Sequence, residues 1–181
     1  GKSGAREMIV IAVMAAFSVV GRLIFAPIPA FKPVTAITII SGVALGPEAG
    51  FIVGSMTAVV SNMFYGQGPW TPFQMFVWGF IGFLAGVIFR KSKKPNRIVL
   101  SIVGAFGGVL FSLLMDIWTT LSLDGEFLLS RYLVNVASSL SFMAIYAVSN
   151  IVFLIILAHP FLEKLNRIKT KYGIFGLLSN E

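Results

Sequence analysis

The chain has 181 residues, 57% hydrophobic and 12% charged, with a formal net charge of +7 and a mean hydropathy of +0.91. A soluble domain of this length has too much surface to cover for that balance, so the composition points to a membrane protein. The chain has no cysteine, which excludes disulfides, a thiolate metal site and a cysteine nucleophile.

Eleven of the fourteen Lys and Arg residues fall in three places. These are the N-terminus (Lys2, Arg6), a short hinge (Arg90, Lys91, Lys93, Lys94, Arg97) and the C-terminus (Lys164, Arg167, Lys169, Lys171). Basic residues beside membrane segments stay in the cytoplasm. Both termini and the hinge are therefore expected inside, and each half crosses the membrane an even number of times. The basic clusters sit at predicted membrane borders, so anionic lipid is their expected partner and nucleic acid is not.

Taken in chain order, the first predicted helix covers about residues 7–25, with Arg22 near its outer end, where a long side chain can snorkel to the interface. No small-residue cleavage site follows it, so it is not read as a removed signal peptide. Residues 26–33, APIPAFKP, carry three prolines and form an extended loop. Residues 34–45 are apolar but too short to span alone, and Gly46-Pro47 ends them. Short segments of this kind mark the entry of a cavity in many transporters.

The third helix is expected over 47–65, with Pro47 in its first turn and Glu48 at the positive end of its dipole. The loop GQGPWTP follows, then a fourth helix over 72–89, the basic hinge, and a fifth helix over 97–121. A polar loop with Asp124 and Glu126 leads to a sixth helix over 131–158. Beyond His159-Pro160 the basic stretch 161–181 is expected to lie on the inner membrane surface as an amphipathic tail. The expected fold is thus an all-α integral membrane protein with six transmembrane helices, both termini inside, in a single domain over 1–181.

Catalytic chemistry lacks its parts. The one histidine, His159, sits before a proline at a border, and a lone His without Cys does not make the usual zinc cluster. Asp116 has no second carboxylate in the membrane, and no P-loop motif is present. We expect no catalytic and no metal-ligating residues, and a binding or permeation protein rather than an enzyme.

The stretch from Asn62 to Trp78 mixes glycines and prolines with Tyr65, Gln67, Trp70, Gln74 and Trp78. Such a mix can form the mouth of a pocket for a mostly apolar ligand, or an aromatic belt with a tight turn. Asp116, an ionisable group within a membrane helix, is a functional candidate or else a structural partner for Arg131 or Arg22. Arg131 and Asn135 open the sixth helix on the same side and could line the same cavity. Small residues recur at four-residue spacing: Ala12 and Ala16, Gly50, Gly54 and Ala58, Gly82 and Gly86, Gly104 and Gly108. Each set lets another helix approach closely, most often for internal packing.

Together, the apolar segments, the basic borders, the missing ATP motif and the AVMAA run at Ala12–Ala16 resemble the substrate-binding S components of energy-coupling factor (ECF) transporters. The resemblance implies a six-helix S-component-like bundle in the bacterial cell membrane. It also implies that Ala12 and Ala16 dock on a transmembrane coupling subunit, and that two partner ATPases supply the energy. The loop 26–33 is placed like the family's mobile first loop. Residues 40–86, with GPEAGF and SNMFYGQGPWTPFQM, look most like the cobalamin group, which makes cobalamin the expected transported ligand. Tyr65, Gln67, Trp70, Gln74, Trp78, Asp116, Arg131 and Asn135 are then the expected ligand-side residues. The alternatives are an S component for another vitamin such as riboflavin or pantothenate, a self-sufficient carrier, or a membrane scaffold.

Overall fold

The computed structural model describes residues 1–92 and 94–176, and the side chains of all of these except residues 2 and 3. Position 93 of the basic hinge and residues 177–181 of the tail lie outside the described residues. Six helices follow one another: α1 (Lys2–Ile24), α2 (Val34–Leu45), α3 (Pro47–Tyr65), α4 (Trp70–Ile88), α5 (Arg97–Leu121) and α6 (Leu129–Tyr172).

The helix boundaries follow local chemistry. Gly46 ends α2 and starts α3 at φ 103°, a backbone conformation that costs glycine little. Pro47 then occupies the first turn of α3, where its missing N–H is no loss. The Asn96 side chain accepts from the Ile98 N–H at 2.8 Å and caps α5.

The centre of the bundle is α2. Every one of its residues but Val43 is buried, and it touches all five other helices. A helix wrapped on all sides by protein has no lipid face of its own, so its twelve residues need not match the hydrocarbon thickness. Its neighbours approach through glycine. A Cβ on Gly82 would collide with the Gly50 backbone, and one on Gly42 with the Gly82 carbonyl. The stripes on α3 and α4 thus serve internal packing, as does that on α5, where a Cβ on Gly108 would meet the Tyr146–Ala147 backbone at 2.8 Å.

α1, α4, α5 and α6 are long and apolar enough to cross a membrane. Large apolar side chains such as Met8, Phe76, Ile102, Phe106, Val134 and Ile156 lie exposed around the bundle, as expected of a surface that meets lipid tails and not water.

Two expected boundaries shift by more than two residues, and one changes the picture. α1 starts at Lys2 instead of near residue 7. α6 does not stop at 158 but runs through Pro160 as one helix of 44 residues. At about 1.5 Å per residue it is roughly 66 Å long, about twice the hydrocarbon core. Its described C-terminal part is therefore not a separate surface segment. A proline removes one backbone donor, and here tertiary contacts hold the helix on both sides of it. Leu162 and Leu165 are buried, and Phe161 meets Phe17 of α1 edge-on at 5.5 Å. The Lys169 ammonium donates to the Ala44 carbonyl at 2.6 Å, satisfying a C-terminal carbonyl of α2 with positive charge.

Candidate ligand site

The densest polar cluster forms around Arg22, in the last turn of α1. Only 8% of this residue is exposed, so it does not snorkel outward as expected; it points into the bundle. Its Nη1 donates to Ser61 Oγ at 2.6 Å and to Asn62 Oδ1 at 2.7 Å, both on α3. Asn62 in turn donates from Nδ2 to Thr71 Oγ1 at 3.0 Å and to Gln74 Oε1 at 2.6 Å on α4. Thr71 donates to Gln67 Oε1 at 2.9 Å, and Gln67 Nε2 donates to the Val59 carbonyl at 2.7 Å. The Tyr65 hydroxyl donates to the Arg22 carbonyl at 2.8 Å. The two glutamines, expected at a pocket mouth, are thus the outer struts of a network that holds the guanidinium.

Aromatic rings complete the cluster. The Arg22 Cζ lies 4.4 Å from the Tyr65 ring centre and 5.0 Å from that of Trp78, distances at which a cation is drawn to a π face. Trp78 is fully buried and stacks on Phe111 at 5.3 Å, and Phe111 meets Tyr146 at 5.0 Å. The loop between α1 and α2 folds back over these rings. Its Lys32 Nζ lies 5.6 Å from the Trp78 ring centre and 5.7 Å from that of Tyr146. Ser149 of α6 pins the loop by accepting from the Lys32 N–H at 2.9 Å and donating to the Lys32 carbonyl at 3.0 Å. Burial pushes the Lys32 ammonium down to about 7, and the neighbouring Arg22 charge pushes the same way.

Among the described residues, three buried polar atoms in this part of the bundle have no partner: Arg22 Nε, Trp78 Nε1 and Ser18 Oγ. Two of them are obligate donors. Ser18 sits one helical turn before Arg22 on α1, in register with it.

A second, smaller cluster joins α5 to α6. Asp116, 7% exposed, accepts from Ser139 Oγ at 2.6 Å. Asn135 donates to Thr120 Oγ1 at 3.0 Å, and Tyr132 donates to the Leu113 carbonyl at 2.8 Å. Asp116 therefore pairs with neither Arg131 nor Arg22. Arg131 instead bonds Asp124 at 2.8 Å on the surface, and this hydrogen bond holds the Asp124 carboxyl below its ordinary range. Trp70 is partly exposed, its ring lying against the Gly68 backbone.

Of the eight expected ligand-side residues, the structure gathers Tyr65, Gln67, Gln74 and Trp78 around Arg22. It leaves Asp116, Asn135 and Arg131 on the α5–α6 side and Trp70 at the rim. Sequence reasoning missed Arg22 and Lys32 as inward-facing groups, and Asn62, Tyr146 and Ser149 as their supports. The available signal was their charge: they are two of the three basic residues outside the basic borders.

Ala12 and Ala16 are exposed on the side of α1 away from the bundle, while Met14, Ala15, Ser18 and Val19 on its other side are buried. Among the described residues, no group of three or more His, Asp or Glu could hold a metal ion.

Comparison with known proteins gives a family. The sequence model of the family described as "ECF-type riboflavin transporter, S component" matches residues 2–167. Two curated relatives, the UPF0397 proteins of Aliivibrio fischeri strains MJ11 and ATCC 700601 / ES114, are each 29% identical over 119 aligned positions. The matched region is 58% of this chain and 64% of each relative, so the chain spans a little under two thirds of their length. No solved structure matches the chain significantly. The match over residues 2–167 covers all but the two ends, and the chain belongs to the family of S components of ECF-type riboflavin transporters.

Proposed function

We propose that this protein is the vitamin-binding subunit of an ECF transporter in the bacterial cell membrane, spanning it six times with both termini inside. It captures its ligand from the outer side in the site around Arg22, Lys32 and Trp78. It then docks through Ala12 and Ala16 on a transmembrane coupling subunit, and two partner ATPases drive release inward. The chain itself performs no covalent chemistry.

The single observation that carries this reading is the family match across nearly the whole chain. For the ligand, the family description names riboflavin. A flat tricyclic ring is chemically suited to the neighbourhood of an aromatic cluster such as Trp78, Phe111 and Tyr146, with Tyr65 beside Arg22, because aromatic faces stack offset on one another. Riboflavin is therefore the ligand we propose first. Cobalamin, suggested by residues 40–86, is the second.

Calorimetry on the purified full chain in detergent tests this, with riboflavin, cobalamin, pantothenate, folate and thiamine as probes. Tight binding of riboflavin is the expected result. Tight binding of cobalamin alone would exchange the ligand and keep the role. Binding of none would sink the vitamin reading and return weight to a carrier or scaffold.

A further inference from the structure

The basic hinge and the far end of α6 enclose an open cleft of about 490 Å³. Lys94 of the hinge lines it, with Glu163, Asn166, Arg167, Thr170 and Lys171 of α6. Three cations there face one acid. Among the described residues none of the three forms an ion pair, and all three are exposed. Lys171 lies 5.3 Å from the Tyr172 ring centre, a contact that leaves its charge in place. The cleft sits at one end of the bundle. The neighbouring Lys169 reaches the Ala44 carbonyl in the last turn of α2, beside the Gly46-Pro47 turn. This is the end proposed above to face inward.

An apolar groove of about 490 Å³ runs along the same two stretches of chain. It begins at Arg97, three residues on from Lys94. Ile102 and Phe106 of α5 and Ile151 and Ile155 of α6 wall it, with the small Ala105 among them. On α6 the groove reaches Ile155 and the cleft begins at Glu163, eight residues later. Eight residues are about 12 Å of helix. Ile102, Phe106 and Ile155 are exposed on the outside of the bundle, where a membrane protein meets lipid tails.

The two halves ask for different chemistry in one guest. Ammonium and guanidinium groups with a threonine beside them suit a phosphate. An apolar groove leading away from them suits a hydrocarbon chain. A free anion would leave the groove unused, and so would an acidic protein segment. We propose that one anionic phospholipid seats its headgroup among Lys94, Arg167 and Lys171 and lays an acyl chain in the groove from Arg97 to Phe106. This differs from the general attraction of basic borders to anionic membranes. A cleft with defined walls holds one molecule in one place, and it saturates. The proposal is independent of the vitamin that the protein carries.

Native mass spectrometry of the full chain in a neutral detergent tests it. Phosphatidylglycerol and phosphatidylcholine with the same acyl chains are the probes, and inorganic phosphate is the competitor. One phosphatidylglycerol per chain should be retained, at least about tenfold more tightly than phosphatidylcholine. Lys94→Gln and Arg167→Gln should each weaken it by about fivefold, the effect of one basic residue near an anionic headgroup. Arg90→Gln and Lys91→Gln are the controls. They remove the same charge from hinge residues that do not line the cleft, and each should change affinity by less than about twofold. All four residues are exposed, so none of these changes removes a buried contact. Ala105→Phe fills the groove and touches no charge. It should weaken phosphatidylglycerol by about tenfold, as the loss of about two buried chain methylenes does.

Equal weakening by the cleft variants and the hinge controls would overturn the site and leave only diffuse attraction. Unchanged affinity in Ala105→Phe, with inorganic phosphate displacing the lipid, would overturn the chain groove and name a free anion as the guest. Retention of no lipid by a folded sample would overturn the proposal outright. Loss of the coupling module from purified complexes of Lys94→Gln and Arg167→Gln would then assign the cleft to an acidic protein partner. None of these outcomes touches the vitamin site, which lies elsewhere in the bundle.

Discussion

A guanidinium survives inside an apolar helix bundle only when its donors find acceptors. Asn62 is the residue on which this depends. It accepts from Arg22 and donates to both Thr71 and Gln74, so one amide ties α1 to α3 and α4. Asn62→Ala should lower stability by about 1.5–3 kcal/mol, the range for a hydrogen bond to a charged group. Ser61→Ala should cost less, because Asn62 still accepts from the same Nη1 atom. Thermal melting in detergent ranks the two, and a reversed order would show that the network is not centred on Asn62. Asp116 allows the opposite test. Its carboxylate accepts from Ser139, and an Asn side-chain oxygen can accept the same bond. Asp116→Asn should change ligand affinity by less than about threefold, well under one charge-assisted bond; a loss of tenfold or more would place Asp116 on the ligand. Tyr65, Gln67, Gln74 and Trp78 were legible because amides and aromatics between glycines and prolines stand out in so apolar a chain. Arg22 and Lys32 were not. A linear pattern does not say whether a cation near a helix end turns toward water or inward, nor that a proline-bound loop folds back over two other helices.

At the scale of elements, the bundle is organised by where backbones touch. α2, α3 and α4 cross at Gly42, Gly50 and Gly82, where a Cβ on any of them would strike backbone atoms of a neighbouring helix. Backbone cannot rotate away as a side chain can. Gly82→Ala is expected to destabilise by about 1–3 kcal/mol, as overpacking does. Gly107 on α5 is the control: a Cβ there would find side-chain methyl groups at 3.5 Å and beyond, ordinary contact distance. Gly107→Ala should be neutral or stabilise by up to about 1 kcal/mol through helix propensity. Equal melting temperatures for the two variants would sink the close-crossing account. The helix ends at Gly46-Pro47 and Asn96 were readable because glycine, proline and asparagine act locally there. Pro160 misled for the same reason. The local rule ends a helix near a proline, but the contacts that hold α6 together come from Phe17 and Ala44, far away in sequence.

At the scale of the whole molecule, α1 separates two environments. Met14, Ser18 and Arg22 face the bundle, and Arg22 anchors the polar network there. Ala12 and Ala16 face away from it, flanked by exposed Ile9, Val13 and Val20. Two small residues one turn apart leave a flat strip between larger neighbours, into which a helix of another subunit can settle closely. Ala16→Leu fills that strip on the outside and adds no atoms to the buried face. Transport through the assembled complex should be abolished, since a leucine holds the partner helix away. Ligand affinity of the isolated chain should stay within about threefold, because the proposed ligand site lies across the helix. Uptake assays in cells that also carry the coupling module give the first quantity, and calorimetry on the purified variant gives the second. Uptake that survived both Ala16→Leu and Ala12→Leu would overturn this face as the docking surface. Affinity that collapsed with uptake would mean that the outer face of α1 is coupled to the site itself, through the one helix whose inner side holds Arg22.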